Sequence, residues 1–426
     1  MRRLRPSWRT ALLGLFLFAA LVRVVFVASL QPGFYFWDSV KYDRAAVRLI
    51  NEGNFGPEYD RSPAYPLFLA GIYLTFGQSI LTVRLVESLL GGLIAVLIAM
   101  IGKRILGGAS GLAAGLIWAL YPLAVFLAGL VYPETLITVL LAGAVTLLLS
   151  AVGRDSTRSG SVYLLLAGFL LMLSTMAKPV VAATLLGLCA WLALWKGRGS
   201  ARPAGLLIAG FCLPLALWAG ISSHYFGKVV LSDPRTVQFI DKAGSTSLEE
   251  VRKGRIRRAL EDPARFVLHF ASEFAHFWQI YPERVVMSDQ ALRDKFHQRD
   301  SRVVRKTVFS SRNSLTDWAS MLSIGPVFLL AIAGIVFLAR QRQWSELSLL
   351  LVIILSFAIA YSFFFTQLRY RIPVEPYIIL LAGHGLMTVG ARLLQGGTPY
   401  NAPPHMAAHG VTVLKKGWRM RLQGRS

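Results

Sequence analysis

Ten long apolar runs constrain this chain more than any other feature of its sequence. Each run has 17 to 22 residues, which is enough for an α-helix to cross the hydrocarbon core of a bilayer, and 55% of the 426 residues are hydrophobic. The runs are too long and too evenly apolar for the alternating strands of a membrane barrel. We therefore predict an all-α polytopic membrane protein built as a bundle of about ten transmembrane helices. The predicted spans are 11–30, 80–101, 109–129, 132–151, 160–177, 179–195, 204–222, 320–339, 347–365 and 373–390.

The net charge of +23 is explained by where the basic residues fall. Clusters such as Arg2 and Arg3 before the first span, and Lys103 and Arg104 after the second, all lie on one side if both termini are cytoplasmic. Residues 396–426 then form a basic cytoplasmic tail. This distribution favours anionic lipid headgroups and phosphate-bearing lipids as partners, and argues against nucleic acid. The predicted location is the inner membrane, crossed many times.

Two of the segments on the outer face are too long to be simple connectors. The loop 31–79 is rich in aromatic residues and prolines, and the stretch 223–319 alternates helix-like patches with breaks. We expect helices that lie in the membrane interface in the first and a small amphipathic helical layer in the second.

Two other outer segments are short but charged, which runs against the topology rule. They carry Glu134, in the turn 131–135, and Arg369 and Arg371, in the segment 366–376. Charged groups at membrane depth are costly and usually serve a function. Two guanidiniums one residue apart suit a phosphate or diphosphate, although a lipid-headgroup anchor is the alternative. Glu134 is also what ordinary helix-start chemistry would place after Pro133.

The first outer loop offers further candidates for chemistry. Asp38 follows four aromatic residues, so its carboxylate is expected at the interface, where it could act as a general base. Asp60 and Arg61 precede Pro63; they form either a surface ion pair or a clamp for a phosphate or metal.

Histidines give little support to a metal site. His224, His269 and His276 lie in the outer stretch, and the last two are seven residues apart, on one face if a helix runs through them. No spacing typical of a zinc site accompanies them.

Four segments in this order resemble the GT-C glycosyltransferases, specifically the branch that holds the aminoarabinose lipid A transferases and the protein O-mannosyltransferases. They are FWDSVKYDRAA after the first span, DRSPAYPLFLAGIY before the second, YPETLITVLLA at the start of the fourth, and RYRIPVEPY before the last. The resemblance extends over residues 11 to 390 and makes 1–395 one transmembrane glycosyltransferase domain.

The resemblance implies an inverting transfer of a sugar from a polyprenyl-phosphate donor to a lipid, glycan or protein acceptor on the outer face. It maps the catalytic base onto Asp38, the donor-phosphate contact onto Arg61, and a cavity, acceptor or metal role onto Asp60 and Glu134. Arg369 and Arg371 would add to the donor-phosphate contact. A divalent metal ion is compatible with the resemblance, and no other cofactor is implied.

The sequence departs from the family pattern at two positions. Ser39 stands where many relatives have a second acid, and Ala64 where many have a second proline. These departures leave the acceptor and the metal requirement open.

Three other functions compete with a transferase. A transporter of lipid-linked sugar or phosphate would need charges deep in its spans and matched halves, and no internal repeat is evident. An enzyme resembling the O-antigen ligases would use a diphosphate donor and depend on His269 or His276. A membrane scaffold would tolerate replacement of Asp38, Asp60 and Arg369.

Overall fold

The computed structural model describes residues 7–55, 61–152, 157–226, 262–281, 290–305, 314–364 and 366–394. These residues form fifteen α-helices. The helices are α1 Trp8–Ala28, α2 Trp37–Glu52, α3 Ala64–Phe76, α4 Ile80–Ile105, α5 Gly108–Leu120, α6 Pro122–Ala128, α7 Glu134–Ala151, α8 Arg158–Ala177, α9 Ala182–Lys196, α10 Ala201–Phe226, α11 Pro263–Phe277, α12 Gln290–Arg299, α13 Ser314–Arg340, α14 Trp344–Ser362 and α15 Glu375–Leu394. The predicted tail, 396–426, lies outside the described residues.

The predicted all-α bundle is confirmed. Among the described residues, nine helical segments are long and apolar enough to cross a membrane, and the bent pair α5 and α6 makes a tenth. Short 3-10 helices extend two of these segments, Pro179–Val181 ahead of α9 and Leu368–Val374 ahead of α15. Every predicted span corresponds to one of these ten.

The third span is broken at Pro122, where the axis bends by 55°. Proline has no N–H to donate, and it disfavours helical geometry in the residue before it, so α5 ends and α6 begins there. The break leaves carbonyls at the end of α5 open to other donors, and Tyr121 N donates to Trp118 O at 3.3 Å. Arg23, buried in α1, donates to two of them, from Nη2 to Trp118 O at 3.1 Å and from Nη1 to Ala119 O at 3.3 Å. The Arg23 guanidinium of the first span thus supplies hydrogen bonds to carbonyls at the end of α5.

Close helix packing depends on small residues, as is usual in membranes. Gly168 of α8 faces Gly210 of α10, and a Cβ on either glycine would collide with the backbone of the other helix. The membrane part of the chain is therefore a tight bundle, and the remaining helices lie at the ends of its spans.

The long outer segments contain the short helices α2, α3, α11 and α12, none of which is long enough to span a bilayer. We call residues 290–305 the outer strap. Its α12 packs on α2, with the rings of Phe296 and Trp37 stacked at 4.7 Å between centroids. The strap contacts the approach to α2 through its backbone as well. Phe34 N donates to Arg302 O at 2.7 Å, and Val304 N donates to Phe34 O at 2.9 Å.

Candidate active site

Asp38 lies in the first turn of α2 between two arginines. Its Oδ1 accepts from Arg61 Nη2 at 2.5 Å, and its Oδ2 accepts from Arg369 Nη2 at 3.2 Å. Arg61 stands just before α3, whereas Arg369 belongs to the 3-10 helix that leads into α15. The side chain of Asp38 is 23% exposed, that of Arg61 11% and that of Arg369 21%, so a ligand can reach all three. We call these three residues the Asp38 cluster. The structure thus brings together three of the residues that the sequence singled out.

Tyrosine rings cover one side of this cluster. The guanidinium of Arg369 lies 4.5 Å from the ring centroid of Tyr132, and that of Arg61 lies 5.6 Å from Tyr42. Burial raises the pKa of Tyr42 and Tyr132 well above the usual value, so both hydroxyls stay protonated. The rings limit hydration of the guanidiniums and so strengthen their attraction for an anion.

Glu134, at the start of α7, belongs to the same site. Its Oε1 accepts from Lys178 Nζ at 2.8 Å, and the charges of Glu134, Asp38, Arg61 and Arg369 all act on the hydroxyl of Tyr42. Three cations against two carboxylates leave one excess positive charge. Such a site can hold a singly charged phosphate diester while keeping a carboxylate nearby.

Lys178, which lies beside Pro179, was not among the residues that the sequence analysis singled out. Its Nζ lies 3.9 Å from the ring centroid of Tyr370, which stacks on Tyr361 at 4.8 Å and 12° between planes. The signal was present, because Lys178 is a charge in a very short outer connection, as Glu134 and Arg369 are.

Arg371 does not join the Asp38 cluster, although it follows Arg369 by two residues. Its side chain is fully buried, with Nε donating to Glu375 Oε1 at 2.5 Å. Nη1 donates to Phe277 O at 2.9 Å and to Gln279 O at 2.7 Å. Arg371 therefore ties the end of α11 to the last span.

A second carboxylate on α2, Asp43, holds this helix in place. Asp43 is buried and accepts from Tyr73 of α3 at 2.6 Å and from Arg302 of the outer strap at 2.8 Å. Arg302 also binds Asp300, at 3.0 Å between Nη2 and Oδ2. The helix that carries Asp38 is thus fixed from two sides.

Glu87, inside span α4, also escaped the sequence analysis. It is fully buried and accepts a hydrogen bond from the hydroxyl of Tyr65. The Tyr65 ring meets Tyr42 edge-on, with centroids 5.1 Å apart. A buried acid thereby supports the ring on which Arg61 lies.

Metal ligation has no support among the described residues, which hold no group of three or more His, Cys, Asp or Glu side chains placed to bind an ion. Asp60 lies outside them. His269 Nε2 is 3.2 Å from Phe364 O, and His276 Nδ1 is 4.0 Å from Glu273 Oε1, so both belong to the packing of α11. The carboxylates of the candidate site are paired with arginine and lysine and do not face one another.

Comparison with known proteins identifies the fold. Residues 60–219 match the family described as dolichyl-phosphate-mannose-protein mannosyltransferase. No curated protein matches the chain as a whole sequence. The family match runs from just before α3 into α10 and leaves Asp38 and Arg369 on either side of it.

Solved structures are similar over almost the whole chain. One is the oligosaccharyltransferase of Archaeoglobus fulgidus tethered to an acceptor peptide, with a TM-score of 0.56, 13% identity, and coverage of 96% of this chain and 53% of that one. The same protein, AglB, in complex with an inhibitory peptide and a dolichol-phosphate, gives a TM-score of 0.56 and 14% identity, with coverage of 97% of this chain and 56% of that one. It has also been solved with zinc and sulfate. This chain spans about half the length of these oligosaccharyltransferases.

ArnT from Cupriavidus metallidurans bound to undecaprenyl phosphate is similar as well, with a TM-score of 0.54, 15% identity, and coverage of 96% of this chain and 70% of that one. These similarities confirm the resemblance drawn from the four sequence segments. The chain has the GT-C fold of membrane glycosyltransferases.

Proposed function

We propose that this GT-C chain is an inverting glycosyltransferase that moves a sugar from a polyprenyl-phosphate donor to an acceptor on the outer face of the membrane. The observation that carries the proposal is the placement of Asp38 between Arg61 and Arg369 in a site that a ligand can reach. A carboxylate base beside two phosphate-binding groups is what such a transfer needs.

The roles follow from the chemistry of each side chain. Asp38 takes the proton from the acceptor hydroxyl, whose oxygen attacks the anomeric carbon from the side opposite the phosphate. The bond from that carbon to the phosphate oxygen breaks, and its electron pair stays on the departing polyprenyl phosphate. Arg61 and Arg369 stabilise this developing charge with planar, multidentate donors.

The donor class is supported by the neighbouring structures, since ArnT was solved with undecaprenyl phosphate and AglB with a dolichol-phosphate. Glu134 and Lys178 line the same site, and the Lys178 ammonium lies over the ring of Tyr370. A lipid donor also accounts for a site at the ends of the spans, where the prenyl chain can remain in the bilayer.

The orientation is part of the proposal. Both termini lie in the cytoplasm, the protein resides in the inner membrane, and the Asp38 cluster faces outward, as the basic loops indicate. Reporter fusions test this. A reporter that works only outside the cytoplasm should be active when it is fused at residue 250. A matched reporter that works only inside the cytoplasm should be active when it is fused at residue 155. The reverse pattern would place the site on the wrong face for an outer acceptor.

The transfer itself is tested with membranes that contain the protein. Radiolabelled sugar on undecaprenyl monophosphate should pass to lipid, glycan or protein fractions, whereas the same sugar on undecaprenyl diphosphate should not. Transfer from the diphosphate alone, lost in His269→Ala or His276→Ala, would support the ligase alternative. Export of intact donor without transfer would support a transporter.

The requirement for a divalent metal ion is tested in the same assay. The proposed transfer uses no metal, because the described carboxylates of the site pair with arginine and lysine side chains. Transfer that survives removal of divalent ions by a chelator agrees with this, whereas loss of transfer that is restored by added metal would require ligands that include Asp60.

A further inference from the structure

We infer that Asp38 controls donor binding as well as accepting a proton: before the donor arrives, its carboxylate occupies the two guanidiniums that the donor phosphate needs. This inference rests on the proposed function and adds an order of events to it. We call the pairing of Asp38 with Arg61 and Arg369 the carboxylate clamp.

The clamp uses both oxygens of one carboxylate. Oδ1 binds Arg61 at 2.5 Å and Oδ2 binds Arg369 at 3.2 Å, so each arginine turns a donor N–H toward Asp38. Charge-assisted bonds of this kind are the stronger class of hydrogen bond. The rings of Tyr42 and Tyr132 lie against the guanidiniums and shield the pairs from water on that side.

The two arginines come from distant parts of the chain, and Asp38 binds both of them. Arg61 precedes α3, and Arg369 precedes the last span, 331 residues after Asp38. A phosphate that enters between them can replace the carboxylate as the shared anion, because phosphate oxygens accept the same bonds in the same planar geometry.

Exchange of the two anions sets the order of the reaction. The donor is a phosphate diester with one negative charge, so it competes with Asp38 charge for charge. When the phosphate takes the arginines, the Asp38 oxygens turn toward the acceptor and can receive its proton. Donor binding therefore precedes removal of the acceptor proton.

The clamp also explains how the site resets. After transfer, Asp38 holds the acceptor's proton and is neutral, while the product polyprenyl phosphate holds the bond electrons and both arginines. Asp38 regains its hold on the arginines only after its proton passes to the product phosphate or to solvent water, which reaches the partly exposed carboxyl, and the restored carboxylate then displaces the product.

The clamp makes an unusual prediction: the substitution that removes the base should strengthen phosphate binding. Full-length Asp38→Asn and the wild type are titrated with undecaprenyl phosphate in detergent, with undecaprenol, which lacks the phosphate, as the lipid control. We expect the Kd of the variant for undecaprenyl phosphate to fall about tenfold, since one competing charge pair has been removed. Undecaprenol should bind both proteins equally.

Asp294→Asn is the matched control for the change in net charge. Asp294 pairs with Arg305 at 3.3 Å in the outer strap, so its loss removes one negative charge without opening the clamp. Its affinity for undecaprenyl phosphate should equal that of the wild type. If Asp38→Asn does not fold, Asp38→Ser removes the same charge and gives the same test.

Each outcome decides between the two proposals. Tighter binding by the Asp38 variant alone supports the clamp. Equal or weaker binding overturns the clamp and leaves the proposed function standing. Tighter binding by Asp294→Asn to the same degree also overturns it, because net charge then explains the gain. If neither protein prefers undecaprenyl phosphate to undecaprenol, the proposed donor is wrong and the clamp fails with it.

Discussion

Four arginines of this protein form two groups that differ in what their guanidiniums bind. Arg61 and Arg369 are partly exposed and share a carboxylate at the outer ends of the helices. Arg23 and Arg84 are buried and bind backbone carbonyls; Arg84 donates to Gly33 O at 2.7 Å and to Gly129 O at 2.8 Å.

The comparison shows that a charge within a membrane protein is not by itself a functional signal. A buried guanidinium can donate to several carbonyls where a helix breaks or a chain turns. Carbonyls left without a donor in a bilayer would be costly. In these four arginines the two roles differ both in the partner atoms and in burial. Arg371 carries both kinds of partner, a carboxylate and two carbonyls, but its full burial places it with the structural group.

The largest effect is expected for Asp38→Asn. Transfer per bound donor should fall about 10³-fold, within the range that a general base contributes, while membrane insertion stays normal. The measurement is single-turnover transfer with donor in excess of its Kd. Asp294→Asn should keep wild-type activity. Retained transfer in Asp38→Asn would remove Asp38 as the base.

Arg371→Gln should act on stability. It leaves the buried carboxylate of Glu375 without its cation, which costs on the order of 3–5 kcal/mol. The measurement is the midpoint of thermal unfolding in detergent, where a large decrease is expected. A normal midpoint combined with weak donor binding would move Arg371 into the functional group and restore its predicted phosphate role.

Arg369→Gln is the counterpart two residues earlier. It should lower kcat/KM for the donor by about 100-fold, equivalent to about 2.7 kcal/mol, with a much smaller change in the unfolding midpoint. The acceptor KM should change little. An equal loss for donor and acceptor would count against a phosphate contact.

Arg23→Leu tests the structural group within the spans. It removes the side-chain donor to the carbonyls of Trp118 and Ala119 at the bend of the third span, at a cost of about 1–3 kcal/mol. Gly91→Ala should lower the unfolding midpoint in the same way, because its Cβ would collide with Nε of Arg23. Both variants should keep transfer activity at low temperature, and a selective loss of donor binding would contradict the grouping.

The smallest effect concerns pH. Burial would raise the pKa of Asp300, but its hydrogen bonds with Arg302 outweigh burial and hold the pKa below the ordinary value. A lowered carboxyl pKa stabilises the fold above the unfolded pKa, and this contribution is lost as the pH falls through the folded one. The unfolding midpoint should therefore decrease below about pH 4, and Asp300→Asn should flatten that slope. An unchanged slope would show that the pair adds nothing.

The spans could be predicted because each rests on local information, a run of apolar residues of the right length. Asp38, Arg61 and Arg369 could be predicted because their charges conflict with their surroundings. The difference between Arg369 and Arg371 could not, because a 3-10 helix turns about 120° per residue and points them to different sides. Asp43 could not be predicted either, since its partner Arg302 is 259 residues away.

Lys178 and Glu87 were missed for different reasons. Lys178 stands beside Pro179, and the sequence around this pair is explained by the end of a helix alone. Glu87 lies in an apolar run whose length alone identified a span, and only the fold shows that the Tyr65 hydroxyl reaches it.

The outer strap has a consequence for how the protein is made. The helix α2 leaves the ribosome with the first tenth or so of the chain. Arg293 of the strap, which donates to Tyr35 O, is made 258 residues after Tyr35, and Arg369 follows only with the last span. Asp38 therefore has Arg61 beside it early in synthesis but gains Arg369 only when the chain is nearly complete. A chain that stops before the last span would lack Arg369 and, under the proposed function, one of its two contacts to the donor phosphate.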